Sequence, residues 1–145
     1  MRNNLKAYNK VNVESGILAS DPHVIILMML DGALGSIAQA KGAIERKDLE
    51  SKSTLITKAI NILSALRESL DKESQPEISQ SFDDLYSYCI ARLGELTISL
   101  EIAGFDELIQ LLKPLRDAWE QMPESAKQEG IKRLNEKNAS QAIGA

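Results

Sequence analysis

Few residues in this chain could do chemistry. His23 is the only histidine and Cys89 the only cysteine, so neither a histidine pair nor a multi-thiolate set for a metal can be assembled, and no internal disulfide can form. A carboxylate-bridged di-metal bundle needs Glu-x-x-His on facing helices, and the residue three before His23 is Ser20. Phosphotransfer by a histidine requires an exposed ring in mid-helix among polar or cationic neighbours. His23 instead opens an apolar run, Val24-Ile25-Ile26. Asp83-Asp84 reads as a solvated face and Cys89 as a small apolar core residue, since it falls in an apolar helical stripe. Neither a Gly-rich phosphate loop nor a Ser-His-Asp set is present. The expectation is a protein that is not an enzyme and carries no cofactor and no metal.

The elements that would position a binding surface are easier to read. Asp21 can cap a helix whose first turn holds Pro22, and that helix reads to about Arg46. Its apolar seam is Leu27, Leu30, Leu34, Ile37 and Ile44, with Ile26, Met29, Ala33 and Ala40 beside it. Gly32, Gly35 and Gly42 inside it suggest close packing or pliancy. Asp48 starts a second helix, reading to about Leu70. Pro76 opens a third, spanning about 76–103 on the stripe Ile78, Phe82, Leu85, Cys89, Leu93, Leu96 and Leu100, with Gly104 as its stop. Phe105, Leu108, Leu112, Leu115, Trp119 and Met122 step by three and four along a fourth helix, which Pro114 should bend.

One domain is expected from 145 residues with 4% aromatics: an all-α, antiparallel four-helix bundle, up-down-up-down, over 21–122. Residues 1–20 read as a flexible N-terminal arm and 123–145 as a short extra helix, anchored by Ile131 and Leu134, with a frayed tail. A net charge of −4 argues against nucleic acid, which needs a basic footprint. Neither a signal peptide nor an apolar run of membrane-spanning length is visible, so no membrane insertion is expected.

Residues 24–30 are apolar on every side of their helix, more than one packing face needs. Either the bundle covers both sides or a partner does, by laying an amphipathic helix into a groove. Met28 and Met29 suit such a surface because thioethers repack around different contours. A bundle that self-associates, as a homodimer or by domain swapping, would also explain the surplus.

The ordered details resemble one family, the flagellar export chaperones called FliS. Ser20-Asp21-Pro22 followed by Met28-Met29-Leu30-Asp31-Gly32-Ala33-Leu34 is similar to its first-helix signature. Lys58-Ala59 with the aliphatics to Leu66, then Leu85-Tyr86-Ser87-Tyr88 with Arg92-Leu93, then Leu115-Arg116-Asp117-Ala118-Trp119, follow in family order. The likeness covers about residues 5–120. It departs where Asp21 is inserted between Ser and Pro, where Leu30 replaces a tyrosine, and beyond residue 120.

The resemblance implies a bacterial cytoplasmic chaperone that binds the disordered C-terminal segment of flagellin, blocks premature polymerisation, and delivers it to the export gate of the flagellar type III apparatus. Groove positions are then expected at Ile25, Met28, Met29, Leu55, Ile62, Tyr86 and Ile90, each also a plausible core residue. Tyr8 matches an N-terminal tyrosine that the family uses around its arm and export-gate contacts, which makes it the expected cover over the groove.

Overall fold

A computed structural model of the chain describes residues 21–123 and, beyond them, Ala126, Lys132 and Glu136, each in helical conformation. The arm with Tyr8, and most of the expected C-terminal helix and tail, lie outside the described residues. Four helices follow in order, α1 Pro22–Glu45, α2 Leu49–Glu68, α3 Pro76–Leu96 and α4 Ile102–Glu120. They form an all-α four-helix bundle in which α1 packs against α2 and α4, α2 against α3, and the α3–α4 seam is the sparsest.

Local chemistry sets the boundaries. The Asp21 carboxylate accepts from His23 N at 3.0 Å and Val24 N at 3.4 Å, satisfying amides that the start of a helix leaves open. At the other end of α1, Lys47 takes a left-handed backbone with φ 60°. Its N–H returns to Ile44 O, and Asp48 N returns to Ala43 O at 2.8 Å. This is a Schellman closure with lysine where glycine usually stands. Asp48 then caps α2, accepting from Ser51 N and Ser51 Oγ, and those two bonds pull its carboxyl pKa down.

The core departs from the expected seam. On α1 the buried face is Met29, Leu30, Ala33, Ser36, Ile37, Ala40 and Ala43, while Leu27, Leu34 and Ile44 are only partly buried. Small side chains let α2 approach closely, so the alanine stripe faces inward and the larger aliphatics flank it. Leu30 is 1% exposed, so the position where the family tyrosine is replaced is sealed. Gly35 contacts nothing within 4 Å of where a Cβ would stand, which removes close packing as its reason. By length and composition α1 could cross a bilayer, contrary to the reading from uninterrupted apolar runs. Here it is packed between α2 and α4.

The third helix stops at Leu96 rather than running to 103, and Gly104 is not its terminator. Lys52, 2% exposed, donates from Nζ to Thr97 O at 3.2 Å and to Ser99 O, drawing the chain out of helical register. Gly104 lies within α4, where a Cβ would stand 2.6 Å from Leu96 Cδ2. Its bareness lets α4 approach the end of α3. Asp83 is likewise not a solvated acid: it is 7% exposed and held by Arg67 Nε, with Lys72 Nζ at 3.7 Å.

Candidate functional site

The α3–α4 seam is fastened at the end where α3 stops and α4 starts. Gly104 admits Leu96 there, Arg92 reaches Glu101 at 3.3 Å, and the Tyr88 hydroxyl donates to Glu107 at 2.7 Å. At the opposite end the wall residues leave space between them. A half-open cavity of about 460 Å³ lies among the start of α1, the end of α2, the start of α3 and the end of α4. Its size falls within the range of about 300–1,000 Å³ typical of ligand pockets.

Each helix contributes side chains. α1 supplies His23, Ile25, Ile26 and Met29; α2 supplies Leu66, with Leu70 just beyond its end; α3 supplies Ile78, Phe82 and Tyr86; α4 supplies Leu115 and Trp119, with Met122 following. Polar groups gather on one side, in the α2–α3 connection and the first turn of α3: Asp71, Ser74, Gln75 and Ser79. The Asp71 carboxylate accepts from Glu73 N and Ser74 N, and Ser79 Oγ donates to Asp71 O, so this connection is folded on itself.

Two aromatic pairs stiffen the walls. His23 and Trp119 stack with centroids 5.0 Å apart and 11° between planes. Trp119 Nε1 donates to His23 O at 2.9 Å, and His23 Nε2 lies 2.7 Å from Trp119 O. Because a carbonyl only accepts, His23 carries its proton on Nε2 in this contact. The reciprocal pair ties the start of α1 to the end of α4. Phe82 and Tyr86 stack at 6.4 Å on α3, and burial pushes the Tyr86 phenol up to about 12.

Of the expected groove positions, Ile25, Met29 and Tyr86 converge on this cavity. Met29 at 6% and Tyr86 at 5% exposure are mostly enclosed and form its floor, while Ile25 is half-buried. Met28, Leu55 and Ile90 are partly buried and line other surfaces. Ile62, 1% exposed, is a core residue of α2. Phe82, Ile78, Leu115 and Trp119 fall in apolar stripes whose spacing assigns them to the core, although Ile78 is 51% exposed. Their convergence at one end of the bundle is a property of four helices together.

The arrangement suits binding rather than proton or group transfer. His23 is 7% exposed and engaged through Nε2, unlike a phosphoacceptor presented to solvent. Cys89 is fully buried, and burial raises its thiol to about 11, far from a reactive thiolate at neutral pH. Among the described residues no three His, Cys, Asp or Glu side chains converge as a metal site. The cavity offers apolar side chains and rings, a polar margin on one side, and access from water. Such a surface accepts the apolar face of a helix.

Comparison with known proteins places the chain among relatives. Residues 3–126 match the family described as Flagellar protein FliS. The flagellar secretion chaperone FliSB of Pseudomonas aeruginosa is 39% identical over 116 residues, covering 80% of this chain and 92% of that protein. The flagellar secretion chaperone FliS of Salmonella typhimurium is 34% identical over 123 residues, covering 84% and 91%. That of Vibrio cholerae is 30% identical over 123 residues, covering 85% and 90%.

Proposed function

Because the chain belongs to the FliS family of flagellar proteins, we propose that it is a flagellar export chaperone whose end-of-bundle cavity receives the disordered C-terminal segment of flagellin. Held there as an amphipathic helix, the segment cannot pair with other flagellins, and the loaded chaperone delivers it to the flagellar type III export apparatus. The work is done in the bacterial cytoplasm and involves no catalytic step. The observation that carries this reading is the water-open apolar cavity itself. Ile78 stands half exposed there beside Phe82, Ile26 and Trp119.

The energetics suit a hand-over. Docking that removed about 1,000 Å² of apolar surface from water would gain about 25 kcal/mol gross. Ordering a flexible client and losing its translation offset most of that gain. Release then needs only a modest competing contact. Residues 1–20 precede the cavity-lining Pro22 in sequence, and Tyr8 among them is the proposed cover over the cavity before the client docks.

Calorimetric titration of the purified protein with a synthetic flagellin C-terminal peptide tests the reading. Saturable one-to-one binding, a gain in helical circular dichroism and a negative heat-capacity change are expected. Absence of saturable heat, together with concentration-dependent self-association in sedimentation, would instead assign the surplus apolar surface to a homodimer.

A further inference from the structure

One lining residue of the cavity comes from beyond the four helices. Ala126 is exposed, helical and at the cavity margin, with its N–H returned to Pro123 O at 3.0 Å. The chain therefore meets the cavity twice after α4 begins to close, first through Met122 and again four residues later. Pro123 makes the turn between them: it has no N–H to offer Trp119 O, four residues before it, and that carbonyl accepts from His23 Nε2 instead.

The phase of the following residues is marked by two others. Lys132 and Glu136 are also helical, and both are exposed. Four residues apart, they share one side of a helix. At about 100° per residue, Ile131 and Leu134 fall on the opposite side of that register. From Ala126 to Leu134 such a helix covers about 12 Å, a little more than the roughly 8–10 Å between packed helix axes. That is enough to cross a cavity framed by helix ends.

Charge favours the same pairing. Along 68–77, which borders the cavity, Glu68, Asp71, Glu73 and Glu77 stand against one cation, Lys72. Lys72 and the neighbouring Arg67 are both turned to Asp83, and Arg116, near the end of α4, is held by Asp31, Asp117 and Glu120. Residues 21–123 carry seventeen acids and ten bases, residues 124–145 three acids and four bases. An acidic bundle attracts a segment of that balance, and Lys127 follows the cavity-lining Ala126 directly.

We propose that residues 127–137 fold back as a helix over the mouth of the cavity, with Ile131 and Leu134 against its apolar walls, and that the client must displace them to dock. This rests on the reading of the cavity as the client site and adds a competitor built into the same chain. A segment tethered to the cavity margin has an effective concentration on the order of millimolar, so a contact too weak to hold two separate molecules together still occupies the site. Seated nine-tenths of the time, it weakens client affinity about tenfold. The apolar walls are then kept from water until a client arrives.

The test uses the full chain with Ile131→Ser and Leu134→Ser together, which lie beyond the four helices in sequence and add no charge; residues 1–20, with Tyr8, stay unchanged. In calorimetry the flagellin peptide should bind this variant at least fivefold more tightly than the parent, whereas Lys132→Gln with Glu136→Gln should stay within twofold. In methyl NMR of the free parent, nuclear Overhauser effects should join Ile131 to Ile78 or Met122 and disappear at saturating peptide. Client affinity that is unchanged in the double serine variant overturns the proposal, as does a lowered affinity, which would make the segment part of the client site. Absence of those Overhauser effects in the free parent also overturns it, and so does their appearance only between differently labelled copies, which assigns the segment to a second molecule. Failure of the parent to bind the peptide is the failure of the chaperone reading, and the Overhauser effects in the free chain still decide where the segment sits.

Discussion

Replacing Ile78 with Asp should disable client binding while leaving the fold standing. Ile78 lies in the first turn of α3, lines the cavity and is 51% exposed. About half of its surface is therefore still in water and available to a docking helix. Burying an isoleucine completely is worth about 1.5–3 kcal/mol, so the unburied half contributes about 1 kcal/mol to the complex. An aspartate there would also place a carboxylate against the client's apolar face without a partner, costing at least about 2 kcal/mol more. The total of about 3 kcal/mol corresponds to roughly a hundredfold loss of affinity, at about 1.4 kcal/mol per tenfold. Stability should change little, because the site is half exposed and an acid in the first turn of a helix is favourably placed. Calorimetry with the flagellin peptide reads the affinity, a circular dichroism melt reads the fold, and Ile98→Asp at the far end serves as the control that keeps client affinity. A folded Ile78→Asp protein binding the peptide within threefold of the parent would refute the cavity as the client site.

Five further outcomes follow from the packing. Lys47 sits at φ 60° in the closure of α1, so Lys47→Gly should stabilise the protein by about 1 kcal/mol in urea unfolding. Gly35→Ala fills open space within a helix and should add about 0.5–1 kcal/mol, whereas Gly104→Ala drives a Cβ into the buried Leu96 and should cost about 1–2 kcal/mol in the same assay. The Arg67 contact, reinforced by Lys72, holds the Asp83 pKa below its ordinary value of 3.8; its stabilising contribution is complete above that value and lost as pH falls through the depressed one, so the melting temperature should fall more steeply below about pH 4 in the parent than in Asp83→Asn. Cys89, buried with its thiol raised to about 11, should resist a thiol reagent at pH 7.5 until denaturant is added.

What could be read from the chain alone was the chemistry that acts over a few residues. Asp21 with Pro22, Asp48 and Pro76 mark helix starts because capping and a missing amide are decided within one turn. Cys89 in its apolar stripe was legible for the same reason, and of the positions expected at a groove Ile25, Met29 and Tyr86 line the cavity. The misreadings share a cause in distance. Leu100 continues the α3 stripe in sequence, but Lys52, 45 and 47 residues before the carbonyls it binds, breaks the helix there. Asp83 looks solvated beside Asp84 until Arg67 folds against it. His23 and Trp119, 96 residues apart, carry no local sign of their reciprocal bonds. The inward face of α1 was misassigned because leucines signal burial more loudly than alanines, although only the alanines permit the close approach of α2. Ile62 flanks its stripe and so reads as a groove position, but it is 1% exposed once α2 packs against α1 and α3.

Methyl-resolved NMR of the full chain, labelled at isoleucine and methionine and titrated with the flagellin C-terminal peptide, tests the central claim most directly. Saturable shifts should concentrate at Ile25, Ile26, Met29, Ile78 and Met122, with Ile90 and Ile98 unmoved. Shifts centred on Ile90 or Ile98 with the cavity methyls still, or no shifts at saturating peptide, would contradict it.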